Sequence, residues 1–172
     1  DGFLQGVLVA PVPRSAIALG KILGGTTLAL LQASLFLFLA PLANTQISLA
    51  SVPLLLAVLV TLAFALTSLG FVLAWMLDST QGFHAIMNLL LFPMWLLSGA
   101  VFPASGAAGW IQGAMLLNPM SYGVSALRTV LANPTIGPET AAIGITRPLV
   151  FVATFGLAML ALSSWSVTHR RP

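Results

Sequence analysis

Long apolar stretches, separated by short polar segments, set the pattern of this chain. Four of them reach the roughly 20 residues that a helix needs to cross a bilayer. They lie at residues 21–40, 52–77, 83–102 and 149–168. Pro93 falls inside the third stretch, where its missing backbone N–H predicts a kink. The pattern predicts an all-α integral membrane protein, a single domain over residues 1–172 with four transmembrane helices.

The connection between the third and fourth stretches, residues 103–148, predicts a helical hairpin on the external side. Ser105–Leu117 carries apolar side chains on one helical face, and Asn118-Pro119 ends it. Ser121 is positioned to cap a second helix. Each helix is too short to cross a bilayer, since about 13 residues make only about 20 Å. Two alternatives stay open: a re-entrant hairpin that dips into the membrane, or an interfacial one that lies along its surface.

Three polar side chains share one face at the start of the third stretch. Gln81, His84 and Asn88 are spaced three and four residues apart, which brings them to the same side of a helix. Hydrogen bonds between packed helices would explain such a strip. A polar strip along a substrate route is the second interpretation, and the first is preferred.

Composition narrows the classes of protein that fit. Hydrophobic residues make up 59% of the chain and charged residues 5%, against about 25% charged residues in soluble domains. Disorder and a coiled coil are excluded, and six basic residues are too few for a nucleic-acid footprint. The absence of cysteine excludes disulfides, thiolate zinc sites and cysteine nucleophiles. The lipid bilayer is therefore the expected environment.

The basic residues predict the orientation. Four fall on one side of the predicted spans and two on the other; they are Arg14, Lys21, Arg170 and Arg171 against Arg128 and Arg147. Positive residues favour the cytoplasm, so we expect a multi-pass protein of the cell (inner) membrane with both ends cytoplasmic. Asp1–Arg14 does not resemble a signal peptide. Because the first residue is not Met, we expect a fragment or a processed product.

The interiors of the four stretches contain no Asp, Glu, Lys or Arg. The chain also has no metalloprotease, serine hydrolase or phosphate-loop motif. A pump without intramembrane charge and without a phosphate loop must take its energy from a partner. We therefore expect no enzyme activity, no metal and no cofactor bound by this chain. The chain has no cluster of charged residues that would indicate a charged cargo.

Three stretches carry a family resemblance. The first runs from Gly2-Phe3-Leu4-Gln5 through Val9-Ala10-Pro11-Val12-Pro13-Arg14 to Leu19-Gly20-Lys21. The second is Phe92-Pro93 with Leu97-Ser98-Gly99-Ala100-Val101-Phe102-Pro103, and the third is Trp110-Ile111-Gln112 with Asn118-Pro119-Met120-Ser121-Tyr122 and Ala126-Leu127-Arg128. In this order they resemble a cytoplasmic connection, the end of the fifth span and the external hairpin of the permease subunit of ABC-2 type transporters.

The resemblance implies a six-span subunit, of which the four stretches are spans 3–6 and the first two precede Asp1. It implies that two permease copies pair, as a homodimer or heterodimer, and that each docks an ATP-binding subunit carrying ATP and Mg. The docking segment would be residues 1–14, through Phe3, Leu4, Gln5, Pro11 and Arg14. Where the family's coupling helix usually has a glutamate, this chain has Gln5-Gly6, which favours apolar docking.

The expected function is that of the membrane-spanning subunit of an ATP-driven exporter for an apolar or amphipathic substrate such as a drug, a lipid or a lipid-linked glycan. A non-transporting membrane scaffold or assembly subunit is the alternative. A small channel fits less well, because no ring of charge or filter-like loop occurs. In the external hairpin, the residues expected to matter are Trp110, Asn118, Pro119, Tyr122 and Arg128.

Overall fold

A computed structural model describes residues 13–43, 47–77, 79–101, 106–132 and 138–169. These ranges contain six α-helices and no β-strand, so the all-α prediction is confirmed. The helices are α1 (Arg14–Phe38), α2 (Val52–Met76), α3 (Thr80–Leu96), α4 (Gly109–Leu117), α5 (Pro119–Ala132) and α6 (Pro138–His169). Short 3₁₀ turns, Ala40–Ala43 and Leu49–Ser51, lie between α1 and α2.

Within the described ranges, three helical segments are long and apolar enough to cross a membrane. They are Ser15–Leu42, Leu49–Met76 and Gly144–Thr168. Helices α1 and α2 have 25 residues each, about 38 Å at the α-helical rise. Helix α3 has only 17 residues, about 26 Å. Four spans are predicted from the sequence, whereas the helix lengths in the structure support three of them.

Helix α3 ends at Leu96, before the end of the predicted stretch 83–102. The Ser98 hydroxyl donates to the Trp95 carbonyl at 2.6 Å and accepts the Ala100 N–H at 3.3 Å. A serine that bonds its own backbone in this way competes with helix continuation. Gly99 then adopts φ 83°, a left-handed conformation that glycine accommodates without strain. The apolar run continues past this point, but the helix does not.

Helix α6 begins at Pro138, well before the predicted start of the fourth span at Leu149. Its 32 residues make about 48 Å of helix. Pro138 at the first position costs no intrahelical hydrogen bond, and the helix continues through Pro148. Part of the region expected as external connection is therefore the first three turns of α6.

Helix α2 is the centre of the packing, with α1, α5 and α6 against it. Each neighbour approaches it at a glycine. A Cβ added to Gly25, Gly123 or Gly156 would lie 2.7 Å from Thr67, 2.6 Å from Leu62 and 3.1 Å from the Ala65 backbone, respectively. The sequence predicts a close approach at Gly20-x-x-x-Gly24 followed by Gly25. Gly25 makes it, whereas an added Cβ at Gly20 or Gly24 would meet no atom within 4 Å.

The contacts also set the directions of the helices. Leu55 and Val58 of α2 form a buried cluster with Ala126 and Val130 of α5 and Ile145 of α6. Ala65, two to three turns further along α2, lies beside Gly156, so α2 and α6 run parallel. Helix α5 runs antiparallel to both, because Gly123 lies beside Leu62 while Val130 is near Leu55. The α4–α5 turn therefore lies near the middle of α2.

We expect Gly156→Val to destabilise the bundle by about 1–3 kcal/mol, because its Cβ would press on the Ala65 backbone, which has no rotamer to change. Gly24→Val is the matched control, since its Cβ would meet open space. Thermal unfolding of the full chain in detergent should show a lower midpoint for Gly156→Val only. Equal midpoints would contradict the close α2–α6 approach.

Candidate functional site: the helical hairpin at the end of α3

The last carbonyl groups of any helix lack intrahelical partners. At the end of α3 three carbonyls, spaced three residues apart, accept hydrogen bonds from side chains of the α4–α5 hairpin. The donors are Asn118 Nδ2 to the Met94 carbonyl (2.6 Å), Ser121 Oγ to that of Leu97 (3.1 Å) and Arg128 Nη2 to that of Ala100 (3.2 Å). The hairpin thus caps α3 from a distance of more than 20 residues in sequence.

Asn118, the single residue between α4 and α5, makes two contacts. Besides donating to Met94, its Oδ1 accepts the Met120 N–H at 3.0 Å. Pro119 follows as the first residue of α5, where a missing N–H is harmless. The prediction that Ser121 caps this helix is wrong: α5 begins two residues earlier, with Asn118 as the capping side chain. Asn118 and Pro119 are both buried.

Tyr122 links three helices. Its hydroxyl donates to the Leu116 carbonyl of α4 at 2.9 Å. Its ring stacks on Phe151 of α6, with centroids 4.1 Å apart and an interplanar angle of 24°. Trp110, in contrast, is 75% exposed on α4. Of the predicted hairpin residues, Asn118, Tyr122 and Arg128 bond or stack on neighbouring elements, Pro119 is buried at the start of α5, and Trp110 faces outward.

The predicted polar strip is exposed. Gln81, His84 and Asn88 all lie on α3 with exposed side chains, and the His84 ring meets Phe83 edge-on at 5.7 Å. Along α3, which the structure describes in full, no residue is buried. The strip lies toward the start of α3 and the hairpin bonds lie at its end, so the two predicted groups are not brought together.

The expected docking segment falls mostly outside the described residues. Phe3, Leu4, Gln5 and Pro11 belong to residues 1–12, and Arg14 is the first residue of α1. Among the described residues, no group of three or more His, Cys, Asp or Glu side chains lies close enough to bind a metal ion.

A cleft of about 310 Å³ opens between the end of α3 and the hairpin. It is lined by Ser98, Gly99, Met115, Ser121, Val124, Ser125, Arg128 and Thr129. Sequence reasoning missed Ser98 and assigned Ser121 another role. The spacing of Asn118, Ser121, Ser125 and Arg128, alternately three and four residues, is the signal that these groups share one face of α5.

Removing the Asn118 donor should loosen the hairpin. We expect Asn118→Ala, which removes both contacts, to cost about 1–3 kcal/mol. Asn88→Ala is the control, since Asn88 is exposed on α3. Thermal unfolding midpoints in detergent measure the effect. No difference between the Asn118 and Asn88 variants would contradict the capping role.

Comparison with known proteins identifies the family. A family model described as ABC-2 type transporter matches residues 1–132, which include α1 to α5. Comparison with curated proteins and with solved structures returned no match. The resemblance seen in the sequence is thereby confirmed, and the apolar helices agree with a membrane domain. The chain belongs to the ABC-2 type transporter family, and it is a multi-pass membrane permease subunit of an ABC transporter.

Proposed function

We propose that this permease subunit serves an ATP-driven exporter that moves an apolar or amphipathic molecule out of the cytoplasm. The observation that carries the proposal is the family match over residues 1–132, because it runs from the expected docking segment through the hairpin. The family normally works with an ATP-binding subunit. That partner would hold ATP and Mg, and a second permease copy would complete the transport unit.

In the proposed topology both ends of the chain are cytoplasmic, α3 crosses the membrane in addition to the three segments that helix length supports, and the hairpin enters from the outside. The basic residues support this orientation, with four on the cytoplasmic side against two outside. At about 26 Å, α3 is short for the roughly 30 Å hydrocarbon core. The non-helical turn after Leu96 would complete the crossing.

We further propose that the hairpin is re-entrant rather than interfacial. Its α5 helix packs beside Leu55–Leu62 of α2 and Ile145–Phe151 of α6. Both segments lie inside the membrane-spanning candidates Leu49–Met76 and Gly144–Thr168. A hairpin lying flat on the surface would not reach the middle of α2. At that depth a non-helical backbone needs protein donors for its carbonyls, and the hairpin provides them.

The proposed cargo route follows α3. No residue of α3 is buried by the rest of the chain, so this helix must face lipid, a second copy of the permease or the cargo route. Lipid does not favour Gln81, His84 and Asn88, because polar groups in hydrocarbon lack partners. We place them on the route, near its cytoplasmic entrance, with the exposed apolar residues Leu89 and Phe92 further along.

The closure of the ATP-binding subunits would be transmitted to the helical bundle through α1. This helix begins at Arg14, directly after the expected docking segment, and packs against both α2 and α6. Closure of the ATP-binding subunits would push on residues 1–13 and move α1 as a rigid body against those two helices. No ionisable residue inside the membrane is needed for such coupling.

The docking proposal predicts that Phe3→Asp with Leu4→Asp lowers ATP-driven transport by about tenfold or more, since buried charge in an apolar interface typically costs over 1.4 kcal/mol. Transport is measured in vesicles containing the permease and its ATP-binding subunit. The matched control is Leu42→Asp with Leu49→Asp, in the 3₁₀ turns between α1 and α2, where the leucines are 84% and 89% exposed. Unchanged transport in the Phe3 and Leu4 variant would contradict docking through this segment.

For the route, we expect alanine at Gln81, His84 and Asn88 together to lower transport about tenfold, as the loss of one or two hydrogen bonds to the cargo would do. The thermal midpoint and the copy number per complex should not change. Gln32→Ala on α1, also exposed, is the control. Loss of pairing between copies in the triple variant would instead assign the strip to an interface.

A further inference from the structure

The cleft between α3 and the hairpin combines one cation with hydroxyl groups and an apolar side. We propose that it binds the phosphate group of an amphipathic molecule, with Arg128 as the anchoring cation. This site goes beyond the proposed function, since binding requires neither ATP nor transport. The cleft volume, about 310 Å³, lies at the lower end of the roughly 300–1,000 Å³ of small-molecule sites.

Arg128 can give most of its donors to a ligand. A guanidinium has five N–H groups in a planar fork that suits phosphate oxygens. One of them donates to the Ala100 carbonyl at 3.2 Å, and the side chain as a whole is exposed. The remaining donors would be available to an oxyanion in the cleft.

No acidic residue occurs among the described residues that line the cleft. A ligand with an anionic head group would supply the counter-ion that these lining residues lack.

The hydroxyl groups sort into structural and available donors. Ser121, Ser125 and Thr129 are four residues apart on the same face of α5 as Arg128. Ser121 donates to Leu97, and Thr129 donates to the Ser125 carbonyl at 2.9 Å. The exposed Ser125 hydroxyl is then the second donor for an oxyanion. The Leu97 and Ala100 carbonyls, which would repel an anion, already accept hydrogen bonds.

The other side of the cleft fits a hydrocarbon chain. Met115 and Val124 line it, and Leu116 and Leu117 next to Met115 are exposed, the latter at 81%. A free inorganic ion would leave this surface uncovered, whereas a phosphate carrying an acyl or alkyl chain would cover it. The ligand is therefore an amphiphile, either an anionic lipid of the bilayer or a transported molecule with the same head group.

The test is calorimetric titration of dodecyl phosphate into the full chain in neutral maltoside micelles. We expect Arg128→Gln to weaken binding by about tenfold or more, as charge-assisted hydrogen bonds would require. Arg147→Gln is the matched control: it removes the same charge from an exposed position on α6 that does not line the cleft. Dodecyltrimethylammonium, with the opposite head charge, should not bind.

Ser125→Ala tests the site separately from any folding effect of Arg128→Gln, because Ser125 is exposed. It should weaken dodecyl phosphate binding about threefold while leaving the thermal midpoint unchanged. Equal weakening by Arg128→Gln and Arg147→Gln, or unchanged binding in both the Arg128 and Ser125 variants, would overturn the site.

A competition experiment separates the two sources of the head group. If phosphatidylglycerol displaces dodecyl phosphate from the unaltered chain but not from Arg128→Gln, the site is assigned to a bilayer lipid. Phosphatidylglycerol that fails to compete would assign it to a transported phosphate amphiphile. Inorganic phosphate binding as strongly as dodecyl phosphate would overturn the amphiphile assignment. A failed transport assay alters none of these results.

Discussion

The carbonyl groups at the end of α3 are the constraint on which the position of the helical hairpin depends. In hydrocarbon each carbonyl without a donor costs several kcal/mol, about what a whole packed side chain contributes. Asn118, Ser121 and Arg128 supply the donors, and all three come from the hairpin. Helix α3 ends at Leu96 with donors from the hairpin on the carbonyls there. Because α5 also packs against α2 and α6, the hairpin connects the end of α3 to the rest of the bundle.

The inner framework is built on a different principle. Helix α2 makes its closest contacts where a neighbour has a glycine, at Gly25, Gly123 and Gly156. Close backbone approach increases dispersion contact, which matters in lipid because the hydrophobic effect does not favour one helix neighbour over an acyl chain. Helix α3 takes little part in this packing. A tightly packed group of α1, α2, α5 and α6 thus stands beside α3, which packs loosely against α2 and is bonded at its end to the hairpin.

Sequence reasoning succeeded where the signal is local. The second apolar stretch, 52–77, coincides with α2 to within one residue, because Asp78 ends the charge-free run. Asn118-Pro119 predicted the boundary between α4 and α5, since proline restricts the residue before it. The predicted boundaries were wrong at the end of α3 and at the start of α6. Leu97–Val101 is as apolar as the helix before it, yet it forms a turn. The fourth stretch is predicted from Leu149, yet the helix already begins at Pro138.

By itself, the sequence determined that the chain lies in a lipid bilayer and is helical, because both follow from composition and hydrophobic pattern. It also determined the number of apolar segments, which follows from the same pattern, and the family, which follows from motifs that lie within a few residues. The tertiary structure decided which polar groups act together. Asn118 and Met94 are 24 residues apart and Arg128 and Ala100 are 28, and no local pattern pairs a side chain with a distant carbonyl. Nor could the sequence choose Gly25 over Gly24 as the contact, since only the rotation of α1 against α2 determines which glycine meets Thr67.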